Sequence, residues 1–272
     1  MMQNHFDSAI GNPFEMRLRA VTGVDGVAVA TILSAFGSGR DFRSKRDIVP
    51  EGKPAESLLV LTEGWACRYR LLRDGRRQII TLLLPGDVCN PDVLAWDRAD
   101  YGVASLTACT VIEASVTALR TMILRMPDIA QAWMKLILAD NAMLAEHNAC
   151  LGRRSAREHL AHLLCELFLR LKTVGRADVR NFSLPITQEE IGDTLGLTPV
   201  HVNRVLQVLR NEGVISFQGH KVTILNRDQL RAEAGFDGRY LHSGADLRLL
   251  DSRAPVAGVA APSAAHSQPA RT

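Results

Sequence analysis

The 272-residue chain contains no run of eighteen or more apolar residues, so nothing in it reads as a membrane span. Its first stretch, MMQNHFDSAIGNPFEMRLR, lacks a basic segment running into an apolar core, which argues against a secretory leader. Cysteine is sparse: the five at 67, 89, 109, 150 and 165 are odd in number and show no C-x-x-C spacing. They predict reduced thiols of a cytoplasmic protein. No nucleophile–base pair, phosphate loop or paired-carboxylate signature occurs, so the enzyme reading is poor. Charge of one sign is not in great excess either, with 32 Lys and Arg against 29 Asp and Glu. What remains is ordinary soluble material, 47% hydrophobic and 22% charged, long enough for about two domains.

The small positive excess is localised. Residues 152–231 carry 12 Lys and Arg against 8 Asp and Glu, whereas the rest is close to neutral. Within that region Ile186 to Leu209 reads as two short helices around a tight turn. Thr187 is a good N-cap and Glu190 completes a capping box. Ile191 and Leu195 supply an apolar face, Gly192 lets a second helix approach, and Gly196 is the expected C-terminal stop. Thr198 then caps a second helix with Pro199 in its first turn. Val202, Val205, Leu206 and Leu209 form the buried face, which leaves Val200, His201, Asn203, Arg204 and Gln207 outward. Such pairs also occur as plain packing units, but the pattern is that of a helix-turn-helix, whose partner is double-stranded DNA.

The remaining chain supports an α+β architecture: an N-terminal antiparallel β-roll of jelly-roll type, a long dimerisation helix and a C-terminal winged helix-turn-helix. Residues 1–20 read as an arm. Residues 21–117 read as the roll, with glycines at 52, 64, 75 and 86 near strand-turn spacing and Asp74-Gly75 as a hairpin turn. Trp65, Cys67, Tyr69 and Leu71 alternate with Ala66, Arg68 and Arg70, as in a half-buried strand. Residues 118–152 form a hinge and a long helix, about 36 Å at 1.5 Å per residue. Its apolar set Ile129, Trp133, Leu136, Met143, Leu144, His147 and Leu151 makes a seam for a two-fold copy of the chain, with Asp140 in its middle. The alternative is that the stripe packs on the roll. Residues 153–231 hold the winged domain, with His220 and Lys221 at the wing tip. Residues 232–272 read as a short helix and a disordered Ala/Pro/Ser-rich tail.

This order of elements resembles the CRP/FNR superfamily of bacterial transcription regulators over about residues 40–230. Its carriers are Gly52, Glu63-Gly64-Trp65-Ala66, Leu84-Pro85-Gly86-Asp87, Met126-Pro127-Asp128-Ile129 and the Thr187–Thr198 segment. The resemblance implies a homodimer on a two-fold-related DNA site, with RNA polymerase as a further partner. It also implies base reading by Pro199, Val200, Asn203 and Arg204, and phosphate contacts from Gln188, Thr198, His201, His220 and Lys221. Val200 departs from the glutamate many members carry, so the half-site should differ from the common one. The effector pocket would fall at Asn90, Pro91, Ala99 and Asp100. These replace the groups that cyclic-AMP-binding members use, and Asp100 would repel a phosphate. No cysteine precedes Cys67, so the iron–sulfur motif is missing as well. Haem ligation by His5 or His147 is left open. No metal site is expected: His159, His162 and Cys165, three apart on one helix, drift across its face. The rival reading is a sensor that acts through protein partners without touching DNA.

Overall fold

The computed structural model describes residues 11–96 and 98–243. Two helices come first, α1 (Pro13–Thr22) and α2 (Gly26–Ser34). Asn12 caps α1, left-handed Gly23 ends it, and the Asp25 carboxylate accepts from the Ala28 amide to start α2. The strand region expected from Val21 therefore begins only at Arg40. The Val- and Ile-rich sequence of α2 has strand-like composition, and its cap decides the outcome.

The roll comprises β1 (Arg40–Phe42), β2 (Asp47–Val49), β3 (Ser57–Glu63), β4 (Ala66–Leu71), β5 (Arg77–Leu83), β6 (Gly102–Ser105) and β7 (Cys109–Ser115). They pair antiparallel in two sheets, ordered β1-β7-β3 and β2-β6-β4-β5. Leu61, Leu83, Cys89, Val103 and Val111 fill the space inside. The expected alternation of β4 breaks at a bulge between Arg68 and Tyr69. As a result Arg68 is only 5% exposed, while Leu71, expected inside, is 56% exposed.

Helices α3 (Val116–Arg125) and α4 (Pro127–Arg153) follow. Phe14 and Leu18 of α1 pack with Ile129, Trp133 and Leu136 of α4 against the outer side of the roll. The winged domain contains α5 (Ala156–Thr173), β8 (Asn181–Ser183), α6 (Gln188–Leu195), α7 (Pro199–Asn211), β9 (Ile215–Gln218), β10 (Lys221–Ile224) and α8 (Arg227–Ala234). The wing sheet is ordered β8-β10-β9, so Asn181–Ser183, ahead of α6, supplies a third strand beside the expected strand-turn-strand. The domain also runs past residue 231: Ala234, Phe236 and Leu241 belong to its core. Residues 1–10 of the expected 1–20 arm and the tail from Ser252 lie outside the described residues, and most of the rest of the arm is taken up by α1.

Two domains share one core here. Ile79, Leu82 and Leu84 of the roll are contiguous with Leu164, Phe168, Ile191 and Leu206 of the winged domain, and Met143 joins them from α4. The β4–β5 hairpin also grips α6: Arg77 pairs with Asp193 at 2.8 Å, and Gln78 donates to the Asp193 carbonyl at 2.8 Å.

Candidate nucleic-acid interface

Local chemistry sets the α6–α7 geometry. The Glu190 amide donates to Thr187 Oγ1 at 3.1 Å while the Thr187 amide donates to the Glu190 carboxylate at 2.7 Å, a reciprocal box. Gly196 sits at φ +68°, where a side chain is strained. At Gly192 the constraint is contact: a Cβ there would lie 2.5 Å from the Leu197 carbonyl oxygen. Thr198 Oγ1 then accepts from the His201 amide at 3.3 Å and opens α7.

Val202, Val205, Leu206 and Leu209 are buried, which turns Pro199, Val200, His201, Asn203, Arg204 and Gln207 to solvent. Asn203 and Arg204 make no side-chain hydrogen bond or ion pair to the described residues, so their donors are free for a ligand. Val200 is 72% exposed, an apolar group presented where polar side chains surround it. The wing tip turns through Gly219 at φ +54° and His220 at φ +63°, the pair of positive φ values that a tight two-residue hairpin needs. Lys221 is exposed beside it, and Gln188 is half-buried at the start of α6. Thus the four expected base readers and His201 share the first turns of one helix, while Gln188, His220 and Lys221 flank it from other elements.

Gly192→Ala should disturb this interface more than the fold. Its methyl must push the Leu197 carbonyl back, which costs about 1–3 kcal/mol of strain and reopens the α6–α7 angle. Affinity for a cognate duplex should drop roughly ten- to a hundredfold, read by fluorescence anisotropy, with helical circular dichroism little altered. Wild-type affinity in this variant would show that the tight turn is not what aims α7.

The expected effector residues take up separate roles among the described residues. Asn90 is fully buried as a backbone clamp, accepting from the Leu59 amide at 2.8 Å and donating to the Ser57 carbonyl at 3.0 Å. Pro91 starts a 3-10 turn, Ala99 lies in the roll core and Asp100 is exposed. The interior is instead occupied by Arg68, which donates to the Cys89 and Val88 carbonyls and pairs with Asp140 at 3.1 Å. Tyr101 stacks on the Arg68 guanidinium and donates to Asp92. Beside Arg68, Thr81 and Asp140 only about 10 Å³ is left, room for at most a water.

Arg68 is part of a buried charge network that ties the two domains together. Asp87, at the corner after β5, accepts from Arg17 of α1 and from Arg170 of α5, each at 2.5 Å. Arg17 also reaches Asp140 of α4 at 2.6 Å. Arg170 continues to Glu166 at 3.1 Å, and Glu166 accepts from Tyr240 at 2.8 Å and contacts His147 at 2.9 Å. Burial alone would raise the Glu166 carboxyl, but the His147 ring and Arg170 outweigh it and hold it well below the usual range. Asp140 behaves alike: burial pushes it up, and Arg17 with Arg68 bring it below its ordinary value.

The expected dimer seam is corrected by the same packing. Ile129, Trp133, Leu136 and Met143 are at most 7% exposed and face their own chain, and His147 is held by Glu166. Leu144 is half-buried and lines the small space beside Arg68, Asp140 and Met143, and Leu151 is exposed next to Gly196; both border the open side of α4. There Met134 (55%), Ile137 (42%), Leu138 (56%) and Leu151 (49%) form an apolar stripe along α4. His159, His162 and Cys165 do not meet at one point. His162 turns instead toward α4, where its Nε2 lies 3.2 Å from Glu146.

Residues 158–233 match the family model of a Crp-like helix-turn-helix domain, and residues 40–126 match that of a cyclic nucleotide-binding domain. The transcriptional activatory protein AadR of Rhodopseudomonas palustris is 34% identical over 197 residues, 70% of this chain and 78% of its own. The nitrogen fixation regulation protein FixK of Bradyrhizobium diazoefficiens is 31% identical over 202 residues, 73% of this chain and 79% of its own. The solved structure of FixK2 from Bradyrhizobium japonicum superposes with a TM-score of 0.68 at 27% identity, covering 74% of this chain and 98% of that one.

Proposed function

The chain belongs to the CRP/FNR family of transcription regulators, and we propose that it reads a two-fold-related DNA site as a homodimer, one α7 per half-site. The observation that carries this reading is the free polar face of α7, capped and aimed by the Thr187 and Thr198 turns and left open by the roll. Arg204 offers the two parallel donors that match guanine O6 and N7, and Asn203 offers a donor and an acceptor for adenine. Val200 meets a thymine methyl, and Pro199 starts the helix against the groove. Gln188, Thr198, His201, His220 and Lys221 position the module on phosphates without selecting sequence.

The second copy docks on α4. Met134, Ile137, Asn141, Leu144, Asn148 and Leu151 recur at alternating spacings of about three and four residues, the pattern of a two-stranded seam. Two asparagines among the apolar positions favour one register and a dimer over higher states. The regulator works beside RNA polymerase on DNA, and no helix among the described residues is long and apolar enough to cross a membrane.

Arg204→Ala tests the base-reading assignment. It should weaken binding by about 1–3 kcal/mol and relax preference at one position of each half-site in a binding-site selection. Unchanged preference at every position would remove Arg204 from the reading set. Lys221→Ala, by contrast, should lower affinity evenly across sequences and reduce the salt slope by about one.

A further inference from the structure

Two helices join the roll to the winged domain, and the step between them, Arg154–Ser155, separates α4 from α5. Just before it, Glu146 and Cys150 lie one turn apart on the same face of α4. Facing them from α5 is His162. Their ligating atoms all lie within 4.8 Å of one another. His162 Nε2 stands 3.2 Å from a Glu146 carboxylate oxygen, and Cys150 Sγ stands 3.9 Å from that oxygen. We propose that Glu146, Cys150 and His162 form a site for a single divalent transition metal of the zinc and cobalt class, which staples α4 to α5 at the interdomain step.

The distances fit a tetrahedral ion. With metal–nitrogen and metal–oxygen bonds of about 2.0 Å and a metal–sulfur bond of about 2.3 Å, the N···O edge is about 3.3 Å and the S···O edge about 3.5 Å. The N···O edge, at 3.2 Å, already fits, the S···O edge, at 3.9 Å, needs a closure of a few tenths of an ångström, and the N···S edge lies within 4.8 Å, so Cys150 is the ligand that moves most. The ring supplies an independent sign. His162 is 1% exposed, yet its Nε2 has no hydrogen-bond partner in spite of its approach to Glu146. A buried ring nitrogen with no hydrogen bond, next to a carboxylate oxygen to which the Cys150 thiol donates at 3.9 Å, is a lone pair that a cation replacing the thiol proton would satisfy. Phe236 and Tyr240 pack on the ring at 4.9 and 5.8 Å and fix its plane.

The donor set selects the ion. One imidazole, one thiolate and one carboxylate suit zinc or cobalt rather than calcium or magnesium, and three protein ligands leave a fourth position to water. Glu146, with its side chain 26% exposed, marks the solvent side from which the ion enters. Burial keeps the His162 ring neutral, as a ligand must be; it also pushes the Cys150 thiol up to about 11, so the metal itself displaces that proton, which leaves for solvent. The site also has a competitor: Arg154 donates to the same Glu146 oxygen at 2.7 Å and to the Ala234 carbonyl at 2.6 Å. Binding moves its Glu146 contact to the second carboxylate oxygen.

Full-length protein stripped with a chelator and titrated with cobalt(II) tests the site. Wild type should bind one equivalent per chain and develop both tetrahedral d–d bands and a thiolate-to-cobalt charge-transfer band, which zinc(II) bleaches by displacement. Cys150→Ser should lose the charge-transfer band. Glu146→Gln and His162→Gln should weaken binding by more than about 100-fold, since even outer-shell partners of a metal are worth 10–100-fold. If His162→Gln fails to fold, Glu146→Gln at the partly exposed position decides alone. No thiolate band in wild type under excess cobalt, or a band that survives in Cys150→Ser, overturns the proposal. None of these readouts involves DNA, so their failure leaves the DNA-reading proposal standing.

Discussion

Replacing Ile137 by Glu should dissociate the dimer, with the association constant falling at least about a hundredfold while each chain keeps its fold. Ile137 is 42% exposed in the single chain, so the substitution opens no cavity there. Across a two-fold seam it acts twice. Fully burying a large apolar side chain is worth roughly 1.5–3 kcal/mol, and the seam covers only the part of Ile137 still exposed, so the two copies together lose about 1–2.5 kcal/mol of burial. The desolvation and mutual repulsion of the two carboxylates bring the total to about 3 kcal/mol, a hundredfold at 1.4 kcal/mol per factor of ten. Sedimentation velocity reads the outcome directly. Binding to a two-fold-related duplex should fall with it, because each monomer then holds only one half-site. Leu136→Glu is the informative contrast. Leu136 is 3% exposed among Trp133, Phe14 and Leu18, so a charge there should unfold the chain instead of producing a stable monomer. A folded Ile137→Glu protein that sediments as a dimer would place the seam off the exposed face of α4.

The contrast also shows where sequence patterns stop. α4 carries two apolar stripes, one through Ile129, Trp133, Leu136 and Met143 and one through Met134, Ile137, Leu144 and Leu151. Periodicity detects a stripe but does not say which neighbour covers it; α1 and the roll cover Ile129, Trp133 and Leu136, and the core shared with the winged domain covers Met143. The helix-turn-helix was legible because its signals are local. A cap, its acidic partner three residues on and a left-handed glycine act within one turn, and none depends on distant chain. Arg68 was not legible. Alternation sends it outward, and the bulge that reverses it leaves no mark in composition. The same holds for Glu146, Cys150 and His162, which come together only when α5 folds back beside α4. Asn90 shows a related limit: a position can match in sequence while its side chain is spent on backbone.

The junction network is the least legible feature and has the largest expected effect on stability. Asp87→Ala should destabilise the chain by about 3–5 kcal/mol, the usual cost of removing one partner from a buried ion pair. Asp87 is 4% exposed and accepts from Arg17, Arg170 and the Leu84 amide, so its loss strands donors from α1, α5 and the roll together. Arg170 keeps Glu166 and the Leu82 carbonyl, which limits the damage on its side. Against a total stability of about 5–15 kcal/mol this is a large fraction, and the unfolding midpoint should drop roughly 6–20 °C. Because Arg17, Arg170 and Asp87 act as one unit, Arg170→Ala should cost less in the Asp87→Ala background than alone. Acid should probe the same groups. Asp140 and Glu166 are both held below their ordinary values of 3.8 and 4.5, so the stability they contribute is present above those values. It is lost as pH falls through their lowered folded-state values, and Asp140→Asn should flatten that acid limb. Additive effects of Asp87→Ala and Arg170→Ala, together with an unaltered acid limb in Asp140→Asn, would mean that these contacts are separate surface-like pairs and not one network joining roll to winged domain.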